Sequence, residues 1–439
     1  MQFKTMTVTP NSIPANNTYQ LLQKILCFCL AITSFMAVPY SKSIAFDWFI
    51  QLPGSYKISL FNLVEIISFS TAFFIIRLRV LAGIERRILI ALLLVMATRV
   101  ISLLFAKQYE SIQYFSILRF AEVLLGLIIL TNLLQSKANR NIFIAGLACG
   151  LLIECFLGLN MVIQTGGHLR GIFFGIPSYQ MMVLFILFLF LLTKSQNLII
   201  LIFAINILLT GIMATQTRAA LIQLAVGMIV VIIIAYKQGF FKRFAITLVV
   251  VTIVHSITLY SMQSVISAAK ERFEDAIKEG KIHLEEDEHS VGGGTIQYRL
   301  YLWDKSIGAF LSHPVTGIGS GSFPRQLDSL PQKFGVQLER NDKNLPLSTH
   351  NTFLGVLAET GIVGITAYFF WLSCIIILII KYYRSSSHRS FETAVAIMLG
   401  IFIFSDFWSQ QSFLPNMTYL TAYLLASLRS ENYNPLPSS

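Results

Sequence analysis

Long apolar runs recur along this chain, and a single long polar stretch interrupts them between about Ser264 and Thr349. The runs are continuous rather than alternating, which predicts helices and argues against the strands of a membrane barrel. Most of them reach the length of about 18 residues that a helix needs to cross a bilayer. The predicted spans are residues 21–39, 58–76, 88–105, 117–134, 141–163, 173–193, 197–213, 219–236, 244–262, 351–380, 391–411 and 416–428. The pattern therefore predicts an all-α integral membrane protein with about twelve transmembrane helices and one large loop between the ninth and the tenth.

The composition supports a membrane protein and excludes a soluble domain. Hydrophobic residues make up 55% of the 439 residues and charged residues only 13%, whereas soluble domains have about 25% charged residues. We divide the chain into helices 1–9 over residues 1–263, the large loop with short helices over 264–349, and helices 10–12 with a short tail over 350–439. The polar segment Met1–Gln20 lacks the pattern of a cleaved signal peptide, so the first run is expected to remain as a helix.

Positive charge is concentrated in alternate short connections between the apolar runs. The net charge is +11, yet the large loop is nearly neutral because it holds ten basic and twelve acidic residues. The basic connections contain Arg77, Arg79, Arg86 and Arg87; Lys137 and Arg140; Lys237, Lys242 and Arg243; and Lys381, Arg384 and Arg389. Because such connections face the cytoplasm, the pattern predicts cytoplasmic termini and an extracytoplasmic large loop. The charge is accounted for without a nucleic-acid partner.

The large loop has some predicted order of its own. Apolar residues between Thr295 and Leu311 recur at helical spacing, and His313-Pro314 is expected to end that helix. The glycines that follow at 317, 319 and 321 predict a loop whose backbone can approach a ligand closely. Residues 324–348 are polar and irregular, which predicts a mobile segment.

Arg218 is the first residue with candidate chemistry. It opens the apolar run 219–236 on the predicted outer face. An arginine and a helix N-terminus at one point are two positive sources that favour a bound anion. The alternative is an arginine that reaches outward to lipid phosphates.

Arg299 and Arg170 are two further arginines on the predicted outer face. Arg299 lies four residues before Trp303 and beside Tyr298, so the alternative to ligand binding is a cation–π or surface contact. Arg170 lies in the short glycine-containing loop 166–171, which could fold back toward a substrate or be an ordinary polar connection.

His350 stands where the large loop re-enters the membrane. A histidine there can exchange a proton near neutral pH. The neighbouring Asn351 could orient a sugar or the imidazole. The alternative is that this segment only caps the next helix, with Thr349 or Asn351 as the capping residue.

Several ionisable residues lie inside predicted spans, where charge is costly and tends to face protein or water. They are Glu65, Arg99, Arg119, Glu122, Glu154, His255, Glu359 and Asp406. We interpret them as structural ion pairs, because no span carries a regular ladder of charges. The predicted outer face has no pair of aspartates suited to a metal, so we expect no metal and no cofactor.

Taken in order, these segments resemble the superfamily of O-antigen ligases and O-antigen polymerases. The matching pieces are Arg170-Gly171 with Phe174-Gly175-Ile176-Pro177; Thr217-Arg218-Ala219-Ala220; Arg299 to Trp303 with His313-Pro314 and Gly317-Ile318-Gly319; and His350-Asn351 with Leu357 to Gly364. Each piece alone is weak. Their order and topology cover roughly residues 170–365, and together they are fairly specific.

The resemblance implies a membrane glycosyltransferase of the GT-C type that works without a metal and inverts the anomeric carbon. The donor would be a glycan on undecaprenyl pyrophosphate, and the acceptor of a ligase would be lipid A-core. His350 would be the general base, and Arg218 and Arg299 would stabilise the departing pyrophosphate. The expected substrate contacts are Arg170, Tyr298, Trp303, Gly317, Gly319 and Asn351. The enzyme would lie in the bacterial inner membrane with its active site in the periplasm.

Within the superfamily we favour a ligase over a polymerase that joins lipid-linked repeat units. One His-Asn pair and one large loop late in the chain are more typical of ligases. A protein O-oligosaccharyltransferase is disfavoured, because the chain stops soon after its last span. A transporter of lipid-linked glycans is an alternative of another class, but no internal repeat supports it. The sequence leaves the oligomeric state open.

Overall fold

The computed structural model describes most of the chain as helices separated by gaps. The described residues are 17–36, 49–52, 56–76, 81–106, 111–165, 198–214, 218–237, 239–261, 296–336, 349–385, 390–405 and 414–433. Structural statements below refer to these ranges.

The described chain contains thirteen helices and one small hairpin. The helices are α1 Asn17–Met36, α2 Leu60–Ile75, α3 Ile84–Leu104, α4 Ser111–Leu133, α5 Lys137–Thr165, α6 Leu198–Ala214, α7 Arg218–Lys237, α8 Phe241–Ser261, α9 Ile296–Ser312, α10 Phe323–Gln326, α11 Thr352–Ser385, α12 Ser390–Ser405 and α13 Leu414–Tyr433. The strands are β1 Phe49–Leu52 and β2 Tyr56–Ser59.

The helices follow the hydropathy pattern. A helix coincides with every predicted span except 173–193, which lies outside the described residues. Within the described ranges, four helices are long and apolar enough to cross a membrane: Ile84–Leu104, Lys137–Asn160, Phe241–Thr258 and Thr352–Arg384. Shorter apolar helices accompany them. The chain is therefore a mainly helical multi-pass membrane protein, while the count of twelve spans stays a prediction.

The β-hairpin is an element that the sequence pattern did not predict. Its strands pair antiparallel, with Phe49 opposite Ser59 and Leu52 opposite Tyr56. The Pro53-Gly54 pair between the strands is a turn signal that could have indicated it. The all-α prediction is corrected to this extent.

The core of the bundle forms where helices distant in sequence pack together. α3 packs against α11, α1 against α5, and α4 against α13. Aromatic residues such as Trp371 and Tyr419 are fully buried in these contacts. Apolar side chains on the outside, such as Phe74 and Phe203, remain exposed, as expected of helices that face lipid.

A second, smaller core belongs to the large loop. It is formed by Tyr301, Leu302, Ala309, Ile318, Phe323, Leu327, Leu330 and Ala358. Most of these residues come from α9 and the segment after it, whereas Ala358 comes from α11. The described part of the loop is thus a packed unit that rests on a membrane helix.

The C-terminal end of this loop unit is bonded to α9, which the sequence did not predict. The buried carboxylate of Asp304 accepts N–H groups over 2.7–3.1 Å from Lys333, Phe334 and Val336. Lys305 donates to the carbonyl of Leu330 at 2.6 Å. The expectation of a mobile segment over 324–348 is therefore wrong for residues 324–336, because these contacts tie the segment to α9. Residues 337–348 lie outside the described ranges.

Candidate active site

Helix α9 carries Arg299 and Trp303 one turn apart on the same face, because residues four apart in a helix are neighbours. Both side chains are half-buried. The indole N–H of Trp303 donates to the carbonyl of Thr349 at 3.2 Å. This bond fixes the face of α9 that bears Arg299 against the residue that precedes His350.

A tight turn holds His350 just before α11. The Thr349 hydroxyl donates to the carbonyl of Asn351 at 2.7 Å. The side-chain oxygen of Asn351 accepts the N–H of Leu354 at 3.0 Å, which makes Asn351 the N-cap of α11. A cap of this kind stabilises a helix by about 1 kcal/mol. Asn351 thus takes the capping role that the sequence left open as an alternative.

The backbone of His350 is in the left-handed region, which residues other than glycine rarely adopt. Its φ is 47°, and it is the only non-glycine residue with positive φ in the described ranges. Such a conformation costs about 1 kcal/mol or more and persists where neighbouring contacts impose it. Here the bonds of Thr349 and Asn351 impose it from both sides.

The electrostatic surroundings of His350 favour a neutral imidazole. Burial is the main reason that the pKa of His350 lies below its usual value, and the positive charge of Arg299 lowers the pKa further. A neutral imidazole has one unprotonated ring nitrogen and can therefore accept a proton. The effect of Arg299 on this pKa indicates that the two side chains belong to one site.

The loop that follows α9 is bonded to α11 through its backbone. The N–H groups of Ile318 and Gly319 donate to the carbonyls of Ala358 and Glu359 at 3.0 and 3.1 Å. In the opposite direction, the N–H of Ile362 donates to the carbonyl of Pro314 at 2.9 Å. Together these bonds join loop and helix in the manner of a short strand pair.

Two glycines permit this close approach. Gly361 interrupts α11 with a φ of 65°, and a Cβ there would lie 2.3 Å from the carbonyl oxygen of Val315. A Cβ on Gly317, which has a φ of 70°, would lie 2.2 Å from the carbonyl carbon of Glu359. Because such distances are far inside van der Waals contact, both positions require glycine.

A buried carboxylate and a buried guanidinium group lie beneath the loop. The carboxylate of Glu359 accepts the N–H groups of Phe323, at 3.4 Å, and Gly321. The Arg99 guanidinium lies close enough to act on that carboxylate and donates to the Ser320 hydroxyl at 3.3 Å. The hydrogen bonds of Glu359 and Arg99, together with their electrostatic attraction, therefore link α3, the loop and α11.

The part of the chain that contains this arrangement is similar to a known protein family. Residues 203–369 match the protein-family model described as O-antigen ligase. The resemblance to O-antigen ligases and polymerases is thereby confirmed. No curated protein matches the chain.

The O-antigen ligase domain contains the loop unit, the kinked half of α11 and three of the predicted catalytic residues. These residues are Arg218, Arg299 and His350. The family indicates a membrane glycosyltransferase-like enzyme. It does not separate a ligase from a polymerase.

The structure brings only part of the predicted site together. Arg299, Trp303, His350 and Asn351 meet where α9 faces the start of α11. Arg218 is the first residue of α7, as predicted, but its side chain lies outside the description. The side chain of Tyr298 and the whole of Arg170 also lie outside it, and Arg170 precedes the family domain. The roles predicted for these three residues stay predictions.

Gly317 and Gly319 have an evident role in packing. The N–H of Gly317 donates to the carbonyl of His313, and that of Gly319 donates to the carbonyl of Glu359. Both glycines are buried. Their contact with a substrate stays a prediction, whereas their contact with the membrane helix is observed.

Sequence reasoning did not identify the partners of Glu359, Arg99 and Thr349. Glu359 and Arg99 were interpreted as members of structural ion pairs, but the loop turn that they contact was not predicted. The signal for Glu359 was its place in the Leu357–Gly364 segment of the family resemblance. Among the described residues, no group of three or more His, Cys, Asp or Glu side chains could hold a metal ion. The prediction of metal-independent chemistry remains to be tested.

Proposed function

We propose that this protein is a ligase that transfers a glycan from undecaprenyl pyrophosphate to lipid A-core. The observation that supports it most strongly is the shared site of Arg299 and His350 within an O-antigen ligase domain. One residue has the chemistry to bind a phosphate and the other to accept a proton. They come from separate elements, α9 and the turn before α11.

The proposed reaction is a displacement at the anomeric carbon. The acceptor hydroxyl attacks, its oxygen forms the new glycosidic bond, and the bond to the pyrophosphate oxygen breaks. His350 takes the hydroxyl proton as general base. Arg299 and Arg218 hold the pyrophosphate, which leaves with its bonding electron pair. Attack opposite the leaving group inverts the anomeric configuration.

The residue types suit these roles. The guanidinium group is planar and donates two parallel hydrogen bonds to phosphate oxygens, which a lysine cannot do. A histidine with a lowered pKa is neutral before the reaction and can take up the proton as the new bond forms. Fixed arginines supply the positive charge that a metal supplies in other glycosyltransferases.

The first prediction is that transfer takes place in the presence of a chelator. Purified protein receives a lipid-linked glycan and lipid A-core without nucleotide and with EDTA, and the joined product is measured. We expect the same rate with and without EDTA, because the arginines act on the leaving group. A rate lost in EDTA and restored specifically by Mg²⁺ or Mn²⁺ would contradict the proposal.

A parallel reaction distinguishes the ligase from the polymerase. It contains the lipid-linked glycan alone, without lipid A-core. A ligase leaves the donor unchanged in this reaction, whereas a polymerase produces longer lipid-linked glycans. Export of intact donor across vesicles, without either product, would favour a transporter.

The second prediction concerns topology. We propose that residues 264–349 face the periplasm of the inner membrane and that both termini are cytoplasmic, since basic connections stay inside. In a cysteine-free background, Glu286→Cys should react with a membrane-impermeant maleimide in intact spheroplasts. Gln238→Cys, in a basic connection, is the matched control and should react only after permeabilisation. The reverse labelling pattern would overturn this orientation.

A further inference from the structure

Two elements carry the proposed site, and they are joined at two places. At one end, the indole of Trp303 on α9 bonds to Thr349, next to His350. At the other end, the loop after α9 bonds to α11 around its kink at Gly361. Glu359 lies nine residues after His350, which corresponds to roughly 13 Å along a helix.

The second junction depends on one buried side chain. Backbone bonds join the loop to residues 358–363, but the turn at residues 320–323 is held by side chains. The Glu359 carboxylate accepts N–H groups from Gly321 and Phe323, and Arg99 bonds to Ser320. Ser102 on α3 also donates to the carbonyl of Glu359. Glu359 is therefore the point where three elements meet.

The junction lies too far from the reacting groups to take part in the chemistry. No contact links Glu359 with Arg299 or His350 in the described contacts, and about two helical turns separate it from His350. The junction joins the loop after α9 to α11 through backbone bonds. Since α9 bears Arg299 and α11 follows His350, a shift of the loop at the junction would alter the positions of both residues relative to each other.

We propose that Glu359 is a positioning residue that sets the spacing between Arg299 on α9 and His350 before α11. This inference rests on the proposed function, because it concerns the efficiency of glycan transfer. The bonds of Glu359 to Gly321, Phe323 and Ser102 fix the loop turn to two membrane helices. The packed loop unit, with Asp304 holding its far end, then acts as a rigid support for Arg299.

The third prediction follows from this role. Glu359→Ala should lower kcat for transfer by about 100-fold, since a shift of about 1 Å between reacting groups has an effect of that size. The KM for the lipid-linked donor should change much less. Glu359→Gln keeps an oxygen that can accept the N–H of Phe323 and should restore a substantial part of kcat.

The matched control is another buried acid in the membrane bundle. Glu65 is buried and accepts a hydrogen bond from the Tyr419 hydroxyl, away from the loop unit. Glu65→Ala also removes a buried carboxyl group. Its kcat, calculated per folded protein molecule, should stay close to the wild-type value. Equal losses of kcat in both alanine variants would show a general folding effect and overturn the positioning role.

A second measurement reports on the junction without enzyme activity. Ser322 is buried beside Gly319, so Ser322→Cys in a cysteine-free background should react slowly with a soluble maleimide. Adding Glu359→Ala should accelerate this reaction by about 10-fold or more if the loop is released, as expected when local contacts that exclude solvent are lost. Adding Glu65→Ala should not.

The two measurements separate the possible failures. Faster labelling together with a loss of kcat supports the inference. Unchanged labelling in the Glu359→Ala background overturns it. If the wild-type protein transfers no glycan but labelling is faster, the proposed function is wrong and the junction is a structural one only. If the wild type transfers and Glu359→Ala has a normal kcat, the inference alone is wrong.

Discussion

Replacing His350 by alanine should lower the rate of glycan transfer by at least about 100-fold, the lower end of what a general base contributes. The alanine variant should still bind the lipid-linked donor, because the arginines proposed to hold the pyrophosphate are intact. The measurement is single-turnover transfer beside donor binding, with equal amounts of folded protein. A fully active alanine variant would mean that the proposed site is wrong.

His350→Gln separates proton transfer from orientation. Glutamine can donate and accept hydrogen bonds but cannot take up a proton at neutral pH. We expect it to be nearly as inactive as alanine. High activity of the glutamine variant across the pH range would assign His350 to orienting the acceptor. Neither substitution removes the capping contact of Asn351, so α11 should still form.

The Arg299→Lys variant should lose about 100-fold or more of kcat, which is typical when a donor that stabilises transition-state charge is lost. Lysine keeps the positive charge but lacks the planar pair of donors. Arg218→Lys should behave in the same way if it holds the same pyrophosphate. Arg325→Lys, on the exposed surface of α10, is the matched control and should remain active. Near-normal transfer by Arg299→Lys would assign this arginine to a structural contact.

The pH dependence of the residual activity of the Arg299 variants tests this prediction in a second way. If His350 is the general base, transfer requires its neutral form, so the rate should fall as the pH drops through the pKa of that residue. Arg299 lowers this pKa. Arg299→Gln removes that charge, so the acidic limb of its profile should move to higher pH. Arg299→Lys keeps the charge, and its acidic limb should stay close to that of the wild type.

Hydropathy and periodicity were sufficient to predict most of the helices. Long apolar runs determine the spans because backbone groups in lipid must bond internally. The apolar stripe from Ile296 to Phe310 predicted α9. The preference of asparagine for helix N-termini made Asn351 one of two candidates for the cap that the structure shows. These features depend on residues close together in sequence.

The contacts that hold the site residues in place could not be predicted from local sequence in the same way. Arg99 and Glu359 are 260 residues apart, and nothing in the local sequence pairs them. The sequence predicted a close backbone approach at Gly317 to a ligand, whereas in the structure Gly317 and Gly361 each face the backbone of the other segment. The positive φ of His350 likewise arises from contacts on both sides, including one with α9. All these features require the packed loop unit.

The packing of this unit also explains why the site contains a strained residue. Asn351 must cap α11 while Thr349 stays bonded to Trp303, and His350 connects the two. The positive charge of Arg299 on α9 acts on the imidazole at this turn. Such imposed conformations are common at functional sites, which agrees with a catalytic role for His350.

Photo-crosslinking of the donor tests the central claim most directly, because it locates the pyrophosphate without relying on the effect of a mutation. The probe is a lipid-linked glycan with a photoreactive group beside its pyrophosphate, bound to the full-length protein in lipid nanodiscs. The account predicts that crosslinked peptides come from residues 296–303 on α9 and from residues 349–354, and that excess unlabelled donor prevents the reaction. Competable crosslinks confined to other helices, such as Leu414–Tyr433, would contradict the account.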